Sequence, residues 1–231
     1  MNELLYPGER VDDLQYKGLR LIQHPDGFRF GMDAVLLADF TRLRPREHVA
    51  DAGAGTGILC VLLSARQPDA TFEAIELQPD MADRAARSMR LNGLTERVRV
   101  HCIDVRSAPA TLGYEKLDVV VCNPPYGKRG GSLLNPAQAL ATARHEAEGD
   151  IEAFLAGSAA LLRTHGRLYL CFPAPRFLEL CDSLRAHRME PKQVRPVCAN
   201  AARAPYLVLV EAMKNARPQL HWQPPLIVYQ P

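Results

Sequence analysis

A membrane-length apolar run is missing from the 231 residues, and the opening stretch from Met1 to Arg10 carries Glu3 and Glu9 where a secretory segment would be apolar. A chain of this kind is expected in the cytoplasm, with no membrane partner. Paired-cysteine spacing is missing too. Cys60, Cys102, Cys122, Cys171, Cys181 and Cys198 are scattered through apolar segments, without C-x-x-C or His-x-x-x-His intervals. Reduced, mostly buried thiols and no metal are therefore expected. There is no internal repeat, no low-complexity segment and little excess charge. The formal net charge of +2 is too small to announce a nucleic-acid binder by itself, because neutralising phosphates takes several clustered cations.

What is present is globular. Hydrophobic residues make up 47% and charged residues 23%, well away from the composition of disorder, and the length suits one domain with a small extension. The basic residues are unevenly spread. Lys128, Arg129 and Arg144 lie in a segment without acids, residues 185–203 hold five basic residues, Arg195 among them, against Glu190 alone, and Arg84, Arg87 and Arg90 recur at i, i+3 spacing.

From about residue 48 short apolar runs alternate with helix-like segments, the pattern of an α/β fold with a parallel sheet. Strands are expected near 48–52, 71–76, 98–103, 117–122 and 167–172, and helices near 57–66, 79–92 and 150–164. A helix near 175–188 leads to a final strand-like pair, Gln193 to Cys198 and Pro205 to Met213, and Pro224-Pro225 predicts an extended tail. The irregular stretch 105–116 gives no clear reading. Ahead of the core, 14–30 reads as extended pieces turning at Pro25-Asp26-Gly27, followed by a helix with Asp33 as its N-cap.

Asp51-Ala52-Gly53-Ala54-Gly55-Thr56-Gly57 directly follows the first of these five strands, where open α/β sheets bind ligands. The spacing is neither the dinucleotide G-x-G-x-x-G nor a Walker loop, which needs a Lys; it resembles the D-x-G-x-G-x-G loop of methyltransferases. Glu76 ends the second strand, where an acid can accept from two ribose hydroxyls.

The fourth strand runs into Asn123-Pro124-Pro125-Tyr126. Two prolines stiffen the backbone and remove two amide donors, which leaves carbonyls and the Asn123 side chain as acceptors. Accepting both N–H bonds of an exocyclic amine favours a more tetrahedral nitrogen whose lone pair is aimed at an incoming methyl. Tyr126 offers a face on which an extruded base can stack. A glutamine carboxamide also presents two N–H groups, so N5-methylation of a protein glutamine remains an alternative, as does another RNA adenine such as one in rRNA.

With these motifs together, nearly the whole chain resembles the tRNA1(Val) (adenine-37-N6)-methyltransferase family, within the class of N-P-P-Y amino-methyltransferases. Phe28-Arg29-Phe30-Gly31-Met32-Asp33-Ala34-Val35-Leu36-Leu37-Ala38, Ala143-Arg144-His145-Glu146 and Pro224-Pro225-Leu226-Ile227-Val228-Tyr229 resemble further family blocks. Two positions depart from it: Gly127 stands where many members have Phe, and Met32 where Thr is common.

The resemblance implies a Rossmann-like class I methyltransferase fold, a seven-stranded mostly parallel sheet with its last strand antiparallel and helices on both faces. It implies a domain over 45–231 and an extension, 1–44, closing over the cofactor, S-adenosylmethionine. Met32, Asp33, Asp51, Gly53, Gly55, Gly57, Glu76, Leu77, Asp104, Val105 and Asn123 would line the cofactor site, with Asp104 on the adenine amino group. Asn123, Pro124, Pro125 and Tyr126 would be catalytic. Lys128, Arg129, Arg144 and Arg195 would contact the RNA substrate, a tRNA, and a monomer is expected.

Overall fold

Leu117–Cys122 reads LDVVVC and Leu207–Lys214 reads LVLVEAMK. Such β-branched and aliphatic runs, apolar toward both faces, suit strands with helices packed on either side. The computed structural model describes residues 4–25, 31–124 and 151–229. A short antiparallel pair, β1 (Arg10–Asp13) and β2 (Arg20–Gln23), precedes α1 (Met32–Phe40). Then follow β3 (His48–Ala52), α2 (Ile58–Arg66), β4 (Thr71–Glu76), α3 (Pro79–Leu91), β5 (Val98–Cys102), α4 (Ala108–Leu112) and β6 (Leu117–Cys122). Beyond the undescribed 125–150 come α5 (Ile151–Leu161), β7 (Leu162–Pro173), a 3-10 turn, α6 (Phe177–Ala186), β8 (Met189–Cys198) and β9 (Leu207–Lys214).

Seven strands run in the order β8-β9-β7-β6-β3-β4-β5. β3 to β7 are mutually parallel, and β9 is antiparallel to both β7 and β8. The expected seven strands, the last of them antiparallel, are present, in a sheet that two short tail strands extend to nine. The tail runs extended along β8 as two two-residue strands, β10 (His221–Trp222) and β11 (Leu226–Ile227), which cover an edge that would otherwise expose unpaired amides.

One apolar layer lies under α1, α2 and α3 (Leu37, Val61, Leu63, Phe72, Met89, Tyr169), and a second under α4, α5 and α6 (Ile75, Leu155, Leu161, Phe172, Leu184). Each fully buried aliphatic side chain contributes about 1.5 to 3 kcal/mol. In α3, Met81, Ala82, Ala85 and Met89 face inward while Pro79 starts the helix, because a missing amide costs nothing in the first turn. Among the described residues no helix is long and apolar enough to cross a membrane.

Several expected boundaries move. The helix expected over 150–164 ends at Leu161, since β7 begins at once and passes an irregular register near Leu117/Val119, with His165 left-handed at φ 62°. β8 starts at Met189 instead of Gln193; Pro191 is tolerated because it sits at a register shift. The 105–116 stretch contains α4. The first segment has a tight turn at 14–19, between β1 and β2, with Gln15 and Lys17 left-handed, which is separate from the turn expected at Pro25-Asp26-Gly27. Asp26 and Gly27 lie outside the described residues.

Candidate active site

Asp51, Glu76 and Asn123 all stand at the carboxyl edge of neighbouring parallel strands: Asp51 near the end of β3, Glu76 last in β4, and Asn123 just beyond β6. Asp104 follows β5 by two residues. This edge is where parallel sheets open a crevice.

The glycine loop folds back onto β4, with the amides of Gly53 and Ala54 both donating to the Ile75 carbonyl at 2.9 Å. Its next amide, Gly55, donates to Glu76 Oε2 at 2.8 Å, and Gln78 donates to Oε1 at 2.9 Å. Glu76 therefore braces the loop while each oxygen keeps a lone pair. Gly55 is left-handed at φ 56°, and a Cβ there would meet nothing within 4 Å: its bare backbone faces open space. Gly57, at φ 86°, has the opposite reason. A Cβ there would meet Met89 Cε at 2.5 Å, so this glycine lets the start of α2 pack on α3.

A pocket opens above the loop, lined by Ala34, Gly53, Ala54, Gly55, Thr56, Ile58, Leu59 and Asn123. Ile58 and Leu59 were not singled out in the sequence, since apolar residues in a helical pattern carry no signal of a pocket, and Ala34, Ala54 and Thr56 stood there only as members of longer motifs. Asp51 lies beneath it, fully buried, with Oδ2 3.7 Å from the Cys60 thiol and no partner for Oδ1. Burial pushes its carboxyl up to about 7, with the neighbouring Glu76 charge adding to the rise.

Asp104 is half-exposed and held by Arg106: Nε donates to both carboxylate oxygens at 3.0 Å, the second guanidinium nitrogen to Oδ2, and the Arg106 amide to Oδ1 at 2.8 Å. That pairing lowers the Asp104 carboxyl. Leu77 and Met32 are exposed and Val105 is buried.

Asp33 is not the N-cap. α1 begins at Met32 with Gly31 as cap and no side-chain cap bond, which places Asp33 inside the first turn. Burial raises its carboxyl against the hydrogen bond from its own amide. Arg84 and Arg87 do not form a free basic face either. Glu9 takes Arg84 Nε at 2.9 Å and Arg87 through two nitrogens, and Asp83 accepts from Arg87 Nε at 2.8 Å, while Arg90 stays exposed. Arg195 sits in the middle of β8, half-buried, with Nε out of contact with any acceptor. Pro125, Tyr126, Lys128, Arg129 and Arg144 lie outside the described residues. Among those described, no group of three or more His, Cys, Asp or Glu is placed to hold a metal.

The comparisons agree with this geometry. The methyltransferase small domain model matches residues 31–187. A tRNA1(Val) (adenine(37)-N6)-methyltransferase of Flavobacteriaceae bacterium 3519-10 is 31% identical over 73% of this chain and 71% of its own length. One from Tolumonas auensis is 30% identical over 84% and 80%. Among solved structures, a predicted O-methyltransferase of Agrobacterium tumefaciens superposes with a TM-score of 0.70 at 25% identity, covering 86% of this chain and 88% of that one. A Thermus thermophilus 16S rRNA N2 G1207 methyltransferase, in complex with AdoMet and guanosine, shares the fold at 0.63 and 20% identity, over 91% and 52%. Glycine loop, strand-end acids, asparagine wall and relatives converge: the chain belongs to the methyltransferase small domain family and, within it, to the tRNA1(Val) (adenine(37)-N6)-methyltransferases.

Proposed function

We propose that the protein methylates N6 of adenine 37 in tRNA1(Val), with S-adenosylmethionine as donor. The observation that carries this reading is that Asn123 lines the same pocket as Gly53 and Gly55, so that an amine acceptor and a close-approach loop share one space. The donor fits the residues present: Gly55 leaves room where any other residue would place a Cβ, and Asp51 Oδ1 is a buried acceptor without a partner. When bound, the cofactor supplies an electrophilic methyl.

Gly53, Gly55 and Gly57 shape the loop that receives it, and Glu76 offers its remaining lone pairs to hydroxyl donors. Asp33, Met32, Leu77, Asp104 and Val105 belong to the same rim in this reading. Asn123 Oδ1 and the Pro124 carbonyl would accept the two N–H bonds of the adenine amine and hold its lone pair toward the methyl; N6 would gain that methyl from the sulfonium, leaving a neutral thioether, and the proton displaced from N6 would pass to solvent. The prolines supply stiffness, and positioning of this kind lowers a barrier by about 7 to 11 kcal/mol in the best cases. Tyr126 would stack on the extruded base, and Lys128, Arg129, Arg144 and Arg195 would follow the tRNA backbone. Residues 1–44 would close over the cofactor.

Single-turnover methyl transfer to a tRNA1(Val) transcript, with mass mapping of the product, tests the reading. The wild type should place one methyl on adenine 37. Asn123→Ala should fall by about a hundredfold or more, the range for losing one preorganised hydrogen-bonding group, while it still binds cofactor. Methyl at another adenine, or an Asn123→Ala variant within a few-fold of wild type, would overturn it.

A further inference from the structure

Cys171 reads in the sequence as one more buried thiol of a core strand. In the sheet it is the cross-strand neighbour of Asn123. β6 and β7 pair in parallel up to Cys122 opposite Leu170, so the next residue of each strand, Asn123 and Cys171, lie side by side at the carboxyl edge. Cys171 is fully buried, and its Sγ stands 3.0 Å from Asn123 Oδ1, with the thiol as donor.

A carboxamide has two ends of similar shape and opposite hydrogen-bonding character. A half-turn about its last side-chain bond replaces the acceptor with a donor. An asparagine that must accept from an amine is useless when flipped, and the flipped amide would meet only the weak acceptor lone pairs of the sulfur. A thiol aimed at Oδ1 favours one orientation. A carbonyl oxygen has two lone pairs, so accepting from the thiol does not by itself bar it from accepting from substrate. A thiol is also a weak donor, so it orients the oxygen while drawing little electron density from it.

We propose that Cys171 is a positioning residue for methyl transfer: its thiol holds the Asn123 carboxamide with the oxygen directed into the pocket. The proposal rests on the assignment of Asn123 as the amine acceptor. It predicts an effect on turnover and not on either binding step, since in this proposal Cys171 acts through the orientation of Asn123.

The test compares Cys171→Ala and Cys171→Ser with wild type in full-length protein. It measures kcat and KM for tRNA1(Val) transcript, affinity for S-adenosylmethionine, and the side-chain amide resonances of Asn123, assigned by their loss in Asn123→Ala. Loss of one hydrogen bond predicts that Cys171→Ala lowers kcat by about three- to tenfold, with KM and cofactor affinity within about twofold of wild type. Serine, which keeps a donor, should restore most of kcat. The Asn123 amide resonances should shift in the alanine variant and return toward wild type in the serine variant.

Wild-type kcat in Cys171→Ala overturns the proposal, as does a serine variant as slow as alanine, which would reduce Cys171 to packing. If the wild type itself transfers no methyl to RNA, the functional reading fails separately. The amide resonances then decide the contact: unshifted in Cys171→Ala, they overturn it.

Discussion

Glu9 and Asp51 are both carboxylates withdrawn from water, one against α3 and the other at the root of the glycine loop. Glu9 accepts from Arg87, from Arg84 Nε at 2.9 Å and from the Tyr6 amide at 2.9 Å, and its side chain is 2% exposed. Arg87 above all pulls its carboxyl down to about 2. Asp51 has a distant thiol on one oxygen and nothing on the other, and burial pushes it up to about 7. A charge that fastens one segment of the fold to another finds its counter-charge within the chain. The carboxyl beneath the pocket does not, and an unpaired, perturbed acid beside a cleft is a candidate for function, which in the proposed reading is cofactor binding.

The largest effect separating the two is expected at Glu9. Glu9→Ala leaves Arg84 and Arg87 without their shared acceptor and should cost about 3 to 5 kcal/mol of stability, as for other broken buried pairs. Cofactor affinity should be unchanged at temperatures where the variant is folded. Chemical denaturation and titration calorimetry check both halves, and a loss of affinity without loss of stability would reverse the comparison.

Asp51→Asn should behave the other way. In the proposed reading it removes an ionisable acceptor and weakens S-adenosylmethionine binding by about 1.5 to 3 kcal/mol, roughly ten- to a hundredfold. It also removes a buried carboxyl that resists ionisation, so apo stability above neutral pH should hold or rise. Thermal unfolding with and without cofactor reads both quantities.

The pH profiles sharpen the contrast. Asp51 has a folded pKa above its unfolded value near 3.9, so the folded state binds more protons between about 4 and 7, and stability falls as pH rises through that window, by up to about 1.4 kcal/mol per pH unit. Glu9 has a folded pKa below its unfolded one, so its contribution is present above about 4 and disappears as pH falls toward 2. Denaturation across pH should lose the first slope in Asp51→Asn and the second in Glu9→Ala. An unchanged slope between pH 4 and 7 in Asp51→Asn would assign that proton elsewhere.

The smallest effect belongs to Arg106, whose pairing with Asp104 is exposed. Arg106→Ala should leave stability unchanged within error, as exposed pairs generally do. In the proposed reading titration should show a slight gain in cofactor affinity, because the Asp104 oxygens no longer accept from the Arg106 side chain. A clear loss of affinity would make Arg106 itself part of the rim.

The sheet was legible because its strands are short apolar runs between helical segments, and the motifs were legible because each sits directly after a strand. Glu76 and Asn123 needed only a strand end to be located. Boundaries were less legible where a strand carries an interruption, as β8 does at Pro191, or where a helix passes straight into a strand, as α5 does into β7. Asp33 was misplaced by two residues because an acid near a helix start serves equally as cap or as first-turn residue, and only the backbone dihedrals of Gly31 distinguish the two.

The order of motifs along the chain, and hence the family and the carboxyl edge where chemistry belongs, was determined by the sequence alone, because strand, glycine loop and proline-stiffened loop are local features. The pairing of Arg84 and Arg87 with Glu9 and the isolation of Asp51 were decided by tertiary structure. So was the thiol of Cys171 against Asn123, 48 residues away in the chain. Hydrogen-bond partners and burial are set by which strands lie side by side, and even strands adjacent in this sheet are separated along the chain by the helices and loops that connect them.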